Sequence, residues 1–210
     1  MLSDLSLLLQ GKQALIIDVR DNPGGVPFVV SYFLSYFFSG KPQKLADYYI
    51  RYSNTAYSIY TEPNVVGSTY PDLPIYVLVY GNTASAGEEL AFWLQGKQRA
   101  KIIGQQTIGA GYGTMGHTLN DRFSMSISSE TEVDPITGEG FQITGVQPDI
   151  VTEAGASLQT ALDLIAGQEA PAADSTSVEA VQAVLSQLPE HKVAETVPAL
   201  IKGYYQSGVL

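Results

Sequence analysis

Two segments some sixty residues apart constrain this chain most: LIIDVRDNPGG at 15–25 and YGNTASAGEELAFWLQ at 80–95. Each reads as an apolar strand that runs through a tight turn into a helix. The first turn ends in Gly24-Gly25, whose backbone N–H groups can face an anion at a helix start. The second turn carries Ser85 at the mouth of its helix. A hydroxyl there meets the positive end of the helix dipole, which favours a developing alkoxide. Together the turns hold the parts of a serine hydrolase, an oxyanion hole and a nucleophile.

Each part also has a plainer reading. Ser85-x-x-Glu88 is a capping box, in which the two side chains satisfy free N–H groups of the helix. Gly24-Gly25 suits any tight turn. Asp18, Arg20 and Asp21 suit a strand end with ion pairs. From local sequence alone the capping box is the more economical account of Ser85.

The chain has 210 residues, 45% of them hydrophobic, enough for one sizeable domain with an appendage. With 11 Lys+Arg against 21 Asp+Glu its net charge is −10. Nucleic-acid phosphates and anionic lipid are poor partners for such a surface. There is no cysteine, so no disulfide, no thiolate metal site and no cysteine nucleophile. The longest apolar run, VVSYFLSYFF at 29–38, is far shorter than the roughly twenty residues of a membrane span. No membrane insertion, metal or cofactor is expected. MLSDLSLLLQGK lacks the features of a signal peptide and leads almost at once into a core strand. That suggests a segment upstream of Met1.

Periodicity predicts a helix over 2–10 with Leu2, Leu5, Leu8 and Leu9 on one face. It predicts a buried strand at Ala14–Val19 and a buried helix at Phe28–Ser39. Residues 45–70 are rich in tyrosine and read as a strand pair on the sheet rim, with a substrate-facing lid as the alternative. Strands follow at Ile75–Tyr80 and Lys101–Gly104, with a helix at Glu88–Gln95 between them. A glycine-rich loop spans 109–113, and Phe123–Ser128 alternates as a half-buried strand. Asp134-Pro135 and Gly138 mark a turn. GVQPDI at 145–150 leads into an edge strand, and Ser157–Ala166 reads as a helix. Alternating strands and helices predict an α/β domain with a largely parallel sheet. The core is expected over 1–167, a linker over 168–177 and a helical tail over 178–210. The tail's apolar faces leave a homo-oligomer open.

The chain contains two histidines. His191 lies in the tail. His117 follows the glycine-rich loop and is a candidate general base, although a lone histidine beside a strand is more often structural.

In combination these segments resemble the S41 peptidases: the C-terminal processing proteases and their tricorn-like and retinoid-binding relatives. LIIDVRDNPGG is similar to the family's LIIDLRxNxGG. TASAGEE is similar to its nucleophile motif, IIGQQTIGAGYGT at 102–114 to VVGExTxGKGxVQ, and GVQPDI to GVxPDI. The resemblance covers about residues 10–166. It implies a ClpP/crotonase-like fold of stacked ββα units and makes Ser85 the nucleophile. The oxyanion would lie between the N–H of Ala86 and one from Gly24 or Gly25. It further implies a peptide or unfolded protein segment as substrate and a place outside the cytoplasm. In processing proteases the lysine of GKG is the general base. Here that position is Ala110, and the family's glutamine is Thr114. The base then lies upstream of Met1, or is His117, or the chain is a binding module and not a peptidase. The isolated chain is expected to be a weak catalyst at best.

Overall fold

The computed structural model describes residues 5–153 and 155–168. The chain divides into two units, Met1–Asp163 and Leu164–Leu210. The expected linker and helical tail fall, from residue 169 onward, outside the described residues.

Two four-stranded sheets organise the first unit. The parallel sheet has the order β1 (Leu15–Asp18), β4 (Ile75–Val79), β5 (Lys101–Gly104) and β8 (Ile150–Val151). The antiparallel sheet has the order β3 (Thr55–Tyr60), β2 (Lys44–Ile50), β7 (Phe123–Val133) and β6 (Tyr112–Asn120). The helices are α1 (Leu5–Leu9), α2 (Pro27–Leu34), α3 (Ala86–Gly96) and α4 (Ser157–Gln168). The parallel sheet is therefore only half of the β structure, and the tyrosine-rich region is a β2–β3 hairpin within the other half.

Strand β4 is buried at every residue, as a central parallel strand of Ile, Val, Leu and Tyr should be. Trp93, Leu94 and Ala91 of α3 are buried in the same core, with Tyr36, Phe37, Leu45 and Ile59. Arg99 ties the segments beneath: its guanidinium donates to the carbonyls of Phe37, Tyr70 and Leu73 at 2.7–2.9 Å.

Four expectations are corrected. Leu8 points to solvent, because the described part of α1 is a short helix that buries Leu9 and Ser6. β1 is only half-buried at Leu15, Ile16 and Ile17, since it has a strand partner on one side only, β4. α2 ends at Leu34 and passes into a 3₁₀ turn at Ser35–Phe37, and its Phe28 and Val29 are exposed. Phe123–Ser128 is exposed, not half-buried. It pairs with β6 in a hairpin, whereas β2 covers β7 only from Glu130 to Val133.

Candidate active site

The two strand–turn–helix segments meet. β1 and β4 are hydrogen-bonded neighbours, so both turns leave the same end of the parallel sheet. Thr83 fastens them. Its buried hydroxyl donates to the carbonyl of Val19 at 2.8 Å and accepts the N–H of Tyr80 at 3.0 Å. Asn22 makes the second link. Its carbonyl accepts the N–H of Ala84 at 3.0 Å, and its Oδ1 accepts the N–H of Gly24 at 2.8 Å. A Cβ on Gly87 would lie 3.2 Å from the Asn22 side chain, so the start of α3 fits closely over this residue.

Ser85 sits at the N-cap of α3 with φ 50° and ψ −126°, a conformation that disfavours any residue but glycine. Its side chain is half-buried. The capping-box pairing with Glu88 is present, and its well-formed half is that of Glu88, whose Oε2 accepts the Ser85 N–H at 2.9 Å. The Ser85 hydroxyl makes no cap hydrogen bond of normal geometry. The capping box is thus present, with Glu88 as its stronger half, and the Glu88 N–H also donates to the Ser85 carbonyl at 2.7 Å.

Gly24 lies directly against Ser85. With φ 113°, a Cβ there would come 2.7 Å from Ser85 Cβ and 3.2 Å from Ser85 Oγ. Only glycine allows that approach. The Gly24 N–H is already used by Asn22. Gly25, next in the turn, is exposed, and Ala86 opens α3, where an N–H has no intrahelical acceptor.

Glu88 is fully buried and accepts four hydrogen bonds. Oε1 receives the Thr107 hydroxyl and, at 2.7 Å, the Gly109 N–H. Oε2 receives Ser85 N–H and, at 2.8 Å, Ala110 N–H. One carboxylate thereby fixes the glycine-rich loop beside the Ser85 turn. Four donors are enough to hold a buried charge. Gly109 has φ 83° and no room for a Cβ, which would meet the backbone of Ile143 at 2.7 Å.

Asp18 and Arg20 form a two-pronged ion pair, with Nε to Oδ1 at 2.8 Å and Nη2 to Oδ2 at 2.6 Å, as expected for a strand end. His117 is exposed on β6 opposite Met125. It stands five residues beyond Tyr112, about 17 Å along the strand. Among the described residues no cluster of His, Cys, Asp or Glu is arranged to hold a metal, and no helix is long and apolar enough to cross a membrane.

Sequence reasoning did not anticipate the parts of Asn22 and Thr83. Both stand in turn segments where any polar residue looks ordinary. The Ser-x-x-Glu spacing did single out Glu88, but not its grip on residues 107–110.

The fold is that of S41 proteases. It matches the photosystem II D1 C-terminal processing protease with a TM-score of 0.59 at 25% identity, over 74% of this chain and 38% of that one. It also matches an S41 protease of Bacteroides fragilis with a TM-score of 0.66 at 19% identity, over 80% and 49% of the two chains. The sequence profile of peptidase family S41 matches residues 1–152, and the chain belongs to that family. A carboxyl-terminal-processing protease of Synechocystis is 30% identical over 184 residues, 82% of this chain and 41% of the relative. One of Picosynechococcus is 29% identical over 173 residues, 77% and 40% of the two. The chain thus spans about two-fifths of the length of these curated relatives.

Proposed function

We propose that this chain is the core of a serine peptidase that cleaves peptides or unfolded C-terminal segments through an acyl-enzyme on Ser85. The observation that carries the reading is the strained, half-buried Ser85 held against Gly24 at the start of α3. Strain of this kind persists where surrounding structure holds it, and it aims a side chain out of a turn. The scissile carbonyl would lie over Ser85 with its oxygen toward the N–H groups of Ala86 and Gly25. Gly24 serves by leaving room for that carbonyl, since its own N–H is engaged.

The general base is the part that Ala110 does not supply. A serine hydroxyl without a base keeps its high pKa, and acylation is slower by about two to four orders of magnitude. We assign the base to a group beyond the described residues, with His117 as the alternative. The names of the relatives support a protein substrate and a processing role. A place outside the cytoplasm belongs to the same reading.

The test is hydrolysis of an unstructured peptide by this chain and by Ser85→Ala, with and without added imidazole as a soluble base. We expect slow hydrolysis that imidazole raises and Ser85→Ala abolishes. No Ser85-dependent hydrolysis under either condition would contradict the peptidase reading and favour a ligand-binding module on the same fold.

A further inference from the structure

Helix α3 serves the Ser85 turn with Glu88 and a second cluster with the next residue. Glu89, Trp93 and Gly96 share one face of the helix, spaced by four and three residues. That face meets the antiparallel sheet. Tyr48 of β2 donates its hydroxyl to Glu89 Oε1 at 3.1 Å. Trp93 donates its indole N–H to Glu132 Oε1 of β7. Gly96 lies against the carboxylate of Asp134, and Tyr57 of β3 donates to Glu130 Oε1 at 2.5 Å. The rings of Tyr48 and Tyr57 stack at 5.0 Å.

Glu89 and Glu132 are only 6% and 5% exposed. Each has one oxygen with a protein donor and one buried oxygen, Glu89 Oε2 and Glu132 Oε2, with none among the described residues. Two ionised carboxylates cannot rest together in such a place, because each would be an uncompensated buried charge. One proton held between them removes one charge and supplies a donor.

We propose that Glu89 and Glu132 share a single proton and form a proton-controlled latch between α3 and the antiparallel sheet. The latch is closed in acid and neutral medium, and it opens when the proton is lost in alkali. Among the described residues, the groups that face the pair are Tyr48 from β2, Tyr57 from β3, Glu130 from β7, Asp134 beyond it and Trp93 from α3 itself. They are acids, phenols and an indole, and none carries a positive charge to balance a second carboxylate. Burial and the charge of Glu132 push the Glu89 carboxyl up. Burial also raises Glu132, against the pull of the Trp93 and Tyr48 donors. The pair titrates as one unit.

Trp93 is the single tryptophan of the chain, and its indole touches the pair, so its fluorescence reads the latch without substrate and independently of any peptidase activity. The experiment follows Trp93 emission between about pH 6 and about pH 11 in the whole chain, with tyrosine excitation avoided. We expect a sigmoidal change inside that window. Glu89→Gln supplies an amide N–H in place of the shared proton, so the transition should vanish and the acid-form emission persist. Glu132→Gln should do the same from the sheet side and serves if the first variant does not fold. A flat profile in the unmodified chain, or an unmoved midpoint in either folded variant, would overturn the latch.

Discussion

Ser85 and Ala110 donate their backbone N–H groups to the same atom, Glu88 Oε2, at 2.9 and 2.8 Å. The residue that bears the hydroxyl and the residue that stands where processing proteases carry lysine are thus tied through one buried carboxylate. The tie depends on both oxygens of Glu88 accepting, because an amide in its place offers one acceptor oxygen for four donors.

Glu88→Gln should therefore destabilise the chain by about 2–4 kcal/mol, since at least one donor is left facing an amide N–H₂. Thermal melting measures the cost. Amide exchange should rise first at Gly109 or Ala110, which donate to different oxygens of Glu88, at whichever faces the new amide nitrogen. Unchanged protection at those two positions would show that the loop is held by something else.

Ser85→Gly should stabilise the chain by about 1 kcal/mol, a rise of roughly 2–4 °C in Tm. The gain comes from relieving φ 50° at a serine. It should come with loss of any hydrolysis. A drop in Tm would mean that the Ser85 backbone is not strained.

Gly24→Ala should have the opposite sign. A positive φ and a Cβ 2.7 Å from Ser85 Cβ leave no relaxed position for the methyl group. We expect a cost of about 1–3 kcal/mol. Gly25→Ala, with no atom within 4 Å of its added Cβ, should cost less. Equal melting temperatures for the two variants would sink the close contact of Gly24 with Ser85.

Much of the site was legible because local signals agreed. The apolar run before Gly24-Gly25 and the Ser-x-x-Glu spacing each mark a turn, and strand pairing then brings the turns together. The miss at Phe123–Ser128 has a physical cause. Alternation of Phe123, Met125 and Ile127 reports a strand but not what lies over it, and β2 stops short of them. Likewise the run at 15–17 reads as buried on both sides, whereas its strand stands at a sheet edge. The Glu89–Glu132 pair joins residues 43 positions apart, a contact that no local pattern encodes.

Stability should fall as pH rises across the neutral range. Burial pushes both carboxyls up, and the Glu89–Glu132 pair loses its two protons at about 7 and about 9, well above the ordinary carboxyl value. Between the ordinary value and these raised values the folded chain binds more protons than the unfolded chain, so raising the pH favours unfolding. The contribution is complete below the ordinary carboxyl range and is lost as pH climbs through about 7 to about 9. Melting temperatures measured across that span should decline, and the decline should flatten in Glu89→Gln. A Tm that rises over the same span would have the wrong sign.

The most direct test of the central claim is peptide hydrolysis by Ala110→Lys. Ala110 is exposed and its N–H shares an acceptor oxygen with that of Ser85, so a lysine there is placed on the loop beside the Ser85 turn with room for its side chain. The account predicts a gain of about a hundredfold or more over the unmodified chain, abolished by adding Ser85→Ala. A folded Ala110→Lys chain with no gain, or a gain that survives Ser85→Ala, would contradict it.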